Sequence, residues 1–488
     1  MAINQQKDVI MAIDAVTNKQ LGITLWIHFQ SGFTSLVNND VKDFASLEAV
    51  VDASGAAARQ VNFALQPARP VSNAQMRNPG AKNSAFISGE EDTIVEKTAT
   101  AKQMDVVGEF DYDVYMRAEQ DPSQIYVGPM GMAVDNLMFN AKEHMLIQYY
   151  GDGSGAQAQL HSTPSLTVVN VGSLDEMSFV IGNTSAYLGT IYNIREEQKL
   201  VAYHIDGTAH APTVTSGTVA YLKVTSVVNA GTTKTVQVAA YDASDVKLNI
   251  TAATTVAASD VLYNYSDVAN GGVFNRSAIT DFGGLLYMPG LRALSAADGS
   301  VCNGVTLSGA YAGSELDIGG STNLYFTDLG KLFSKINRRV AEGKYDYPQL
   351  KCSFDTWNYL VNLDEGSKFL KPVVEQSPNG RGEKKYMYYH NDIACAVVGR
   401  RFVADSDIWA EPKLMDSMSV PGVTKEGPIM FKFTGFDYVK EPGSSDIFRF
   451  KISSAGRLKV VQTHMQTFGT FVATQSAAIG RIKGFLIS

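Results

Sequence analysis

Few residues of this chain have the types and spacing that enzymatic chemistry requires. Its seven histidines are scattered through 488 residues, and the only close pair is His204 and His210, which flank an Asp-Gly turn. Zinc is held by four protein ligands, or by three and a water, and no Cys-x-x-Cys or His-Glu-x-x-His motif supplies them. His144 falls on an amphipathic pattern, which favours a packed or surface side chain over a general base. The sequence therefore predicts no metal site and no catalytic histidine.

The glycine-rich and acidic motifs give no better candidate for catalysis. Gly151, Gly153 and Ala156 have the spacing of a dinucleotide-binding loop, but such a loop follows a strand and opens a helix. Here the helical pattern comes first, so the glycines indicate a helix end and a turn. No nucleophile motif of the Gly-x-Ser-x-Gly type occurs. The acidic run at 90–92 would be solvated, whereas carboxylate catalysis needs burial that shifts a pKa. We predict no cofactor and no enzymatic activity.

Charged residues around an extended segment are better suited to contacts between copies of the chain. Basic residues lie on both sides of the acidic run, and complementary charges on two surfaces fix their register more than they add affinity. The alternative is a loop that is merely solvated. We predict inter-subunit contacts at six residues, which are Arg69, Arg77, Lys82, Glu90, Glu91 and Lys97.

Composition excludes several classes of protein. The net charge of -8 and a pI near 5.5 oppose tight binding to phosphate backbones, which needs concentrated Lys and Arg. Three widely spaced cysteines argue against a disulfide framework and favour a reducing compartment. No apolar run approaches the roughly 18 residues of a membrane span, and the first 30 residues lack the pattern of a signal peptide. We expect a soluble product made in the cytosol, with no membrane partner.

One long amphipathic helix is predicted to begin near Gly128 and to end at Tyr150. Apolar residues recur there at steps of three and four, which places them on one face. Pro129 suits a first turn, and Gly151 can take the left-handed conformation that ends a helix. Such a helix must pack along a sheet to cover its apolar face, so we expect it to act as a spine.

The rest of the chain predicts an α+β protein with a separate β-rich part. Residues 1–55 read as an arm with weak helical patterns, one of them at Val41–Val51, and 59–117 as a long extended hairpin. Leu166–Asn270 is made of short β-branched segments separated by turns, which is typical of a small barrel or sandwich. Beyond it we predict two helices and three strands, at Asp328–Ala341, Phe354–Leu363, Asp392–Val403, Pro428–Val439 and Ile447–Thr463.

The order of these parts resembles the major capsid protein of tailed bacteriophages, which has the Hong Kong 97 fold. The spine helix ends in Tyr149-Tyr150-Gly-Asp-Gly-Ser-Gly, a type of ending that is common in that family. Phe354-Asp-Thr-Trp357-Asn-Tyr-Leu360 is similar to the family's helix near the capsomer centre. Ala394–Asp405, with Val397-Val398-Gly399, is similar to the strand that leads back towards the periphery. The resemblance covers nearly the whole chain.

The resemblance implies a container protein that assembles into hexamers and pentamers around double-stranded DNA. Its expected partners are a scaffolding protein and a portal protein, with decoration proteins as an optional addition. Its expected location is the virion capsid, assembled in the cytoplasm of a bacterial host. The implied segments are an N-terminal arm (1–55), an extended loop (56–120), the peripheral spine helix (121–155), an inserted β-barrel-like domain (156–275), a peripheral segment (276–325), an axial domain (326–440) and C-terminal strands (441–488).

Two other classes of protein stay open on the sequence alone. A β-rich phage tail protein or adhesin would explain the many short strands, although the predicted helices count against it. An α+β enzyme of unrecognised architecture would rest only on the loop acids and the histidines.

Overall fold

The computed structural model describes the chain from residue 47 to residue 487 with several gaps. The described residues are 47–51, 60–65, 95–111, 140–141, 143–167, 175–230, 233–252, 255–269, 272, 274–296, 298–308, 311–340, 345–363, 370–376, 382–390, 393–414, 429–438, 448–452 and 459–487.

Strands dominate the described residues, and helices are few. The helices are α1 (140–150, with 142 outside the description), α2 (Tyr265–Ala269), α3 (Leu291–Leu294), α4 (Phe326–Arg339) and α5 (Phe354–Asn362). The first strands are β1 (Leu47–Val51), β2 (Gln60–Leu65), β3 (Val95–Thr100), β4 (Lys102–Asp111), β5 (Ala158–Leu160), β6 (Ser165–Thr167), β7 (Glu176–Gly182), β8 (Lys199–Tyr203), β9 (Ala209–His210), β10 (Thr213–Val214), β11 (Tyr221–Ala230), β12 (Thr233–Tyr241), β13 (Lys247–Leu248), β14 (Ile250–Ala252) and β15 (Val261–Asn264). The later strands are β16 (Val301–Cys302), β17 (Val305–Thr306), β18 (Ser314–Asp317), β19 (Tyr345–Asp346), β20 (Gln349–Cys352), β21 (Leu370–Gln376), β22 (Gly382–His390), β23 (Ile393–Gly399), β24 (Asp407–Ala410), β25 (Lys413–Leu414), β26 (Ile429–Tyr438), β27 (Phe448–Ile452), β28 (Lys459–Ala473) and β29 (Gly480–Lys483).

The chain divides into two compact units. The first comprises Met1–Val61, Ala101–Leu146 and Phe431–Thr470. Its described part contains a sheet in the order β1, β26, β28, β27, with β4 also pairing with β28. β28 runs antiparallel to β4 over ten residue pairs, from Val460 opposite Asp111 to Gly469 opposite Lys102. This sheet therefore joins segments that lie hundreds of residues apart in sequence.

The second unit contains a closed β-barrel. Its strands follow the order β12, β11, β8, β15, β5, β7, and β7 pairs again with β12, so the sheet closes on itself and every pairing is antiparallel. Closure leaves the ring without unpaired edges. Side chains from alternate positions fill the interior, among them Phe179, Leu200, Val224, Val236 and Val238, which are all buried.

The second unit also contains a mixed sheet covered by two helices. Its strand order is β18, β29, β24, β20, β23, β22, β21, and the pairs β18 with β29 and β20 with β23 are parallel. α4 packs against β18 and β29, and α5 packs against β23. Leu329, Leu332, Phe333 and Ile336 recur on one face of α4 at steps of three and four, and all four are buried in this core.

Both helices begin where local chemistry favours it. Asp328 in the first turn of α4 accepts a hydrogen bond from the Tyr325 amide at 3.1 Å, as in a capping box. The Ser353 hydroxyl accepts from the Thr356 amide at 3.1 Å and caps α5. The predicted helices at Asp328–Ala341 and Phe354–Leu363 are confirmed, with α4 beginning two residues earlier.

Two predicted strands are also present in the structure. Pro428–Val439 contains β26, and Asp392–Val403 contains β23. β2 and β3 form a two-stranded sheet at the base of the predicted hairpin. The spine helix is described from 140 to 150, and its predicted first half lies outside the described residues.

Three predictions need correction. Part of Val41–Val51 is the strand β1, because pairing with β26 outweighs a weak helical pattern. Ile447–Thr463 is not one strand but parts of β27 and β28, which pair antiparallel with each other. The all-β prediction for Leu166–Asn270 missed α2, a helix of five residues.

Truncating Leu332 should destabilise the second unit strongly. Leu332 lies on the buried face of α4 and is fully buried. Leu332→Ala therefore removes apolar contacts and leaves a cavity, which should lower the free energy of unfolding by about 2–5 kcal/mol. Ser334→Ala, at an exposed position of the same helix, should change the free energy of unfolding by less than about 0.5 kcal/mol. Urea unfolding of both variants measures this difference, and equal losses would contradict the assigned face.

Candidate functional site: buried charge networks and the turn after the spine helix

The structure describes only one of the six predicted contact residues. Lys97 lies in β3 and is partly buried. Arg69, Arg77, Lys82, Glu90 and Glu91 lie outside the described residues. The predicted contact surface therefore stays a prediction.

The turn that ends the spine helix is held by a buried carboxylate. The Gly151 amide donates to the Gln148 carbonyl at 3.1 Å, and Gly153 has a φ of 86°, in the left-handed region. Asp152 then accepts from the Ser154 amide at 3.0 Å and from Arg276 Nη1 at 2.7 Å. Burial alone would raise the pKa of Asp152, but Arg276 and Ser154 outweigh it and lower that pKa. The turn is thus a fixed structural element.

Gly155 is required by a close contact. Its φ is 80°, and a Cβ built there would lie 2.3 Å from the ring of Tyr287. The Tyr287 hydroxyl in turn donates to Asp267 Oδ1 at 2.8 Å. Burial raises the pKa of Asp267 to about 6. The glycine run that resembles a nucleotide-binding loop is therefore explained by packing.

A bidentate ion pair joins β29 and β24, two neighbouring strands of the mixed sheet. Arg481 Nε and Nη2 donate to the two carboxylate oxygens of Asp407, each at 3.0 Å, and the guanidinium lies 5.0 Å from the centre of the Trp409 ring. Arg292 Nη2 lies 3.4 Å from the same carboxylate. Arg292 also donates to the carbonyls of Ser185 at 3.2 Å and Tyr187 at 2.5 Å. This network joins the barrel segment at 183–187 to the mixed sheet.

A second network joins the barrel to α5. Lys234 Nζ, on β12, donates to Asp405 Oδ2 at 2.5 Å and to Asp355 Oδ2 at 3.1 Å. Asn183 Nδ2 donates to the same Asp405 oxygen at 3.1 Å. Burial would by itself lower the pKa of Lys234, but its pairing with Asp405 raises it. The ammonium therefore stays charged inside the protein.

The third network is the most deeply buried. Lys351, in β20, is fully buried and donates to Glu411, which is also buried. The Lys351 ammonium lies 5.6 Å from the centre of the Tyr149 ring, at the end of the spine helix. Tyr149 is itself fully buried and packs against Phe471, with 5.4 Å between ring centres.

Sequence reasoning missed these networks, although the alternation of the strands contained a signal. Along β12, Lys234 falls at the same alternate positions as Val236, Val238 and Ala240, which are buried inside the barrel. A charge on an apolar face needs a buried partner. The partners of Lys234 lie 121 and 171 residues further along the chain, so only the fold identifies them.

One cavity among the described residues lies beneath the turn at Gly151. Its volume of about 30 Å³ suits a water molecule rather than an organic ligand. Burial raises the pKa values of all three cysteine thiols, at Cys302, Cys352 and Cys395, so they stay protonated. Burial also lowers the pKa of His144 to about 4, which leaves it neutral at pH 7.

In the part of the chain that the structure describes, no group of three or more His, Cys, Asp or Glu residues could enclose a metal ion. Among the helices described, none is long and apolar enough to span a membrane.

Comparison with solved structures returns capsids. The chain is similar to a chain of the cyanophage A-1(L) capsid asymmetric unit, with 8% identity, a TM-score of 0.42 and coverage of 91% of this chain and 92% of that one. The capsid of a native GTA particle is 7% identical, with a TM-score of 0.36 and coverage of 93% of this chain and 91% of that one. The capsid of Ralstonia phage GP4 is 9% identical, with a TM-score of 0.33 and coverage of 90% of this chain and 86% of that one. Solved structures similar to about nine-tenths of this chain thus include phage capsid proteins.

No protein-family model matches the sequence, and the comparison with curated proteins finds no relative. At TM-scores below 0.5 the structural similarities assign neither residues nor function.

Removing one partner of the Lys351–Glu411 pair should be far more costly than removing both. Lys351→Met leaves a buried carboxylate without its cation, which costs about 3–5 kcal/mol. The double variant Lys351→Met with Glu411→Leu replaces the pair by apolar side chains of similar size and should recover most of that loss. Chemical unfolding gives both values, and a double variant no more stable than the single one would contradict the pairing argument.

Asp267 should make stability depend on pH. Its pKa of about 6 in the folded protein exceeds the usual value of about 3.9, so the folded state holds this proton more tightly than the unfolded state does. The resulting contribution to the free energy of unfolding is fully present below about pH 4 and is lost as the pH rises through 6. Asp267→Asn should therefore stabilise the protein at pH 7.5, by at most about 3 kcal/mol, and have little effect at pH 4. Thermal melts at both pH values test this; an unchanged difference between the two would refute it.

Proposed function

We propose that this chain is the major capsid protein of a tailed bacteriophage, with the Hong Kong 97 fold. Its copies would form the hexamers and pentamers of an icosahedral shell that encloses double-stranded DNA. The order of the parts carries this proposal. A helix ends at Gly151, a closed barrel follows, and then α4 and α5 pack on a mixed sheet. This is the order that the sequence resemblance implies, so the proposal rests on analogy between folds.

The barrel is suited to be an insertion within a larger fold. The chain enters it at β5 and leaves at β15, and these two strands are paired, with Gln159 opposite Val261. An insertion that enters and leaves at neighbouring points lets the surrounding domain fold around it. In this proposal 156–275 is the inserted domain, between a spine helix at 121–155 and a peripheral segment at 276–325.

The remaining segments take the roles that the resemblance implies. Residues 1–55 would be the N-terminal arm, and 56–120 the extended loop that lies over a neighbouring copy. Residues 326–440 would form the axial domain at the capsomer centre, and 441–488 the strands that return to the core. The contact candidates Arg69, Arg77, Lys82, Glu90, Glu91 and Lys97 all belong to the proposed extended loop.

Exposed apolar side chains support association between copies. Tyr325, Phe354, Tyr389 and Leu486 are 47%, 50%, 45% and 42% exposed, and all four belong to the region of the mixed sheet and its helices. Tyrosine and phenylalanine are enriched in the cores of protein interfaces. The buried charge networks make the body behind these side chains rigid, which suits a subunit that must repeat its contacts in many copies.

The acidic balance is compatible with a wall around DNA. A shell whose copies all bound the duplex tightly would hold it by phosphate contacts, and a net charge of -8 opposes such binding.

The proposed partners are a scaffolding protein, a portal protein and decoration proteins, and the proposed location is the virion, after assembly in the host cytoplasm. No step of catalysis is assigned to the chain.

A β-rich tail protein or adhesin is the alternative that the closed barrel would also suit. Negative-stain microscopy separates the two proposals. Closed shells of tens of nanometres or capsomer rings support a capsid protein, whereas fibres or single elongated particles support the alternative. Monomers whose melting temperature rises with a small molecule would instead indicate an enzyme.

Deleting residues 70–90 should abolish shells without unfolding the subunit. This segment belongs to the proposed extended loop, and its charged side chains are expected to contact another copy. The full chain and the deletion variant should be expressed with the scaffolding protein and compared by negative-stain microscopy. A Gly-Ser linker of the same length is the matched control for loop length, and it too should fail to form shells.

Circular dichroism melts decide whether these variants test assembly. A deletion variant that melts like the full chain but stays unassembled supports the proposal. Normal shells from either variant would show that the segment makes no essential contact, and loss of the melting transition would show that it belongs to the subunit core.

A further inference from the structure

His204 and His210 are brought onto one face of a hairpin at the barrel. β8 pairs with β9, with Ala202 opposite His210, and the His204 amide donates to the Thr208 carbonyl at 2.9 Å as the turn begins. Gly207, with a φ of 89°, permits the tight turn. Because side chains alternate along a strand, the two histidines are diagonal neighbours across the pair. Their ring centres are 5.5 Å apart.

Each imidazole has one nitrogen engaged by a carboxylate. His210 Nδ1 lies 2.7 Å from Asp260 Oδ2, and His204 Nδ1 lies 3.3 Å from Asp206 Oδ1. A carboxylate accepts the proton of Nδ1–H, which leaves the lone pair on Nε2. This carboxylate–histidine arrangement is the one that orients histidine ligands in metal sites.

Asp260 gives the pair a buried negative charge. Its side chain is fully buried, and Oδ2 also accepts from the Ala257 amide at 2.8 Å. Its other oxygen, Oδ1, is buried and has no hydrogen-bond partner among the described residues. A buried carboxylate that is incompletely paired is costly, so a cation bound to the adjacent imidazole would stabilise it. The His204 and His210 side chains are 38% and 17% exposed, which leaves them accessible to an ion from solution.

The spacing and ligand number indicate which ion would fit. Two imidazoles that share one ion through bonds of about 2.0–2.1 Å have ring centres roughly 4.5 Å apart at a right angle and roughly 5.2 Å apart at the tetrahedral angle, so the observed 5.5 Å requires a small rotation of the side chains to close on an ion. The described residues supply two nitrogen ligands, so water has to complete the coordination. Structural zinc is disfavoured, because it takes four protein ligands. Late divalent ions such as Cu²⁺ and Ni²⁺ accept nitrogen and oxygen ligands in tetragonal geometry, and Cu²⁺ binds such ligands most strongly.

We propose that His204 and His210 bind one late divalent transition-metal ion through their Nε2 atoms, with Asp260 and Asp206 orienting the rings and water filling the remaining positions. The ion would cross-link the two strands of the β8–β9 hairpin. This site is independent of the proposed capsid function, because it lies within the barrel and is built entirely from its residues and the adjoining turns.

Copper(II) binding to the full chain tests the proposal. Titration of the metal-free protein with Cu²⁺ should reveal one saturable site, and pulsed electron paramagnetic resonance should detect two coordinated imidazoles. His204→Gln and His210→Gln should each weaken this binding by about tenfold or more and reduce the signal to one imidazole. Asp206→Asn and Asp260→Asn should weaken it by about 10-fold to 100-fold, since both carboxylates support the ligands.

His161→Ala is the matched control, because His161 is an exposed histidine of the barrel outside this pair. It should leave the affinity and the two-imidazole signal unchanged. Circular dichroism melts establish that each variant is folded, and His204→Gln, at the more exposed position, is the decisive one. No saturable binding, a single-imidazole signal in the unaltered chain, or a signal insensitive to His204→Gln in the folded protein would overturn the proposal.

Discussion

Buried charges must be paired, and in this protein that requirement joins the barrel to the mixed sheet. Lys234 projects from the barrel to Asp405 and to Asp355 of α5. Arg292 spans from the carbonyls of the segment at 183–187 to Asp407, which also takes the bidentate contact of Arg481. An unpaired charge at any of these places would cost several kcal/mol, so the two parts of the second unit are held in one arrangement.

The same requirement explains why motifs that suggest chemistry have a structural role. The carboxylate of Asp152 holds the turn after the spine helix together with Arg276, and Gly155 makes room for the Tyr287 ring. The cysteine thiols are buried and protonated. In the proposed capsid function, the tyrosine and phenylalanine side chains exposed around the mixed sheet would contribute contacts between copies.

Much of the local structure could be predicted from the sequence. The apolar spacing and the Ser353 cap identify α4 and α5, and the Asp206-Gly207 turn marks the β8–β9 hairpin. Correspondingly, the errors lie where local signals are weak. The prediction for β1 was wrong because pairing with the distant strand β26 outweighs its weak helical pattern. The division between β27 and β28, which pair with each other, was missed. Of the predicted contact residues only Lys97 lies in the described part of the chain.

The sequence by itself determined the α+β class, the helices α4 and α5, the β8–β9 hairpin and the position of the helix end at Gly151, because periodicity, caps and turn residues act over a few positions. The tertiary structure alone decided that β7 closes on β12 to make a barrel, that Lys351 meets Glu411 60 residues later, and that His204 and His210 each take a carboxylate. The physical reason is that these partners lie far apart in sequence. The partner of a buried charge or of a barrel edge is determined by packing in three dimensions, and the pattern of neighbouring residues does not predict it.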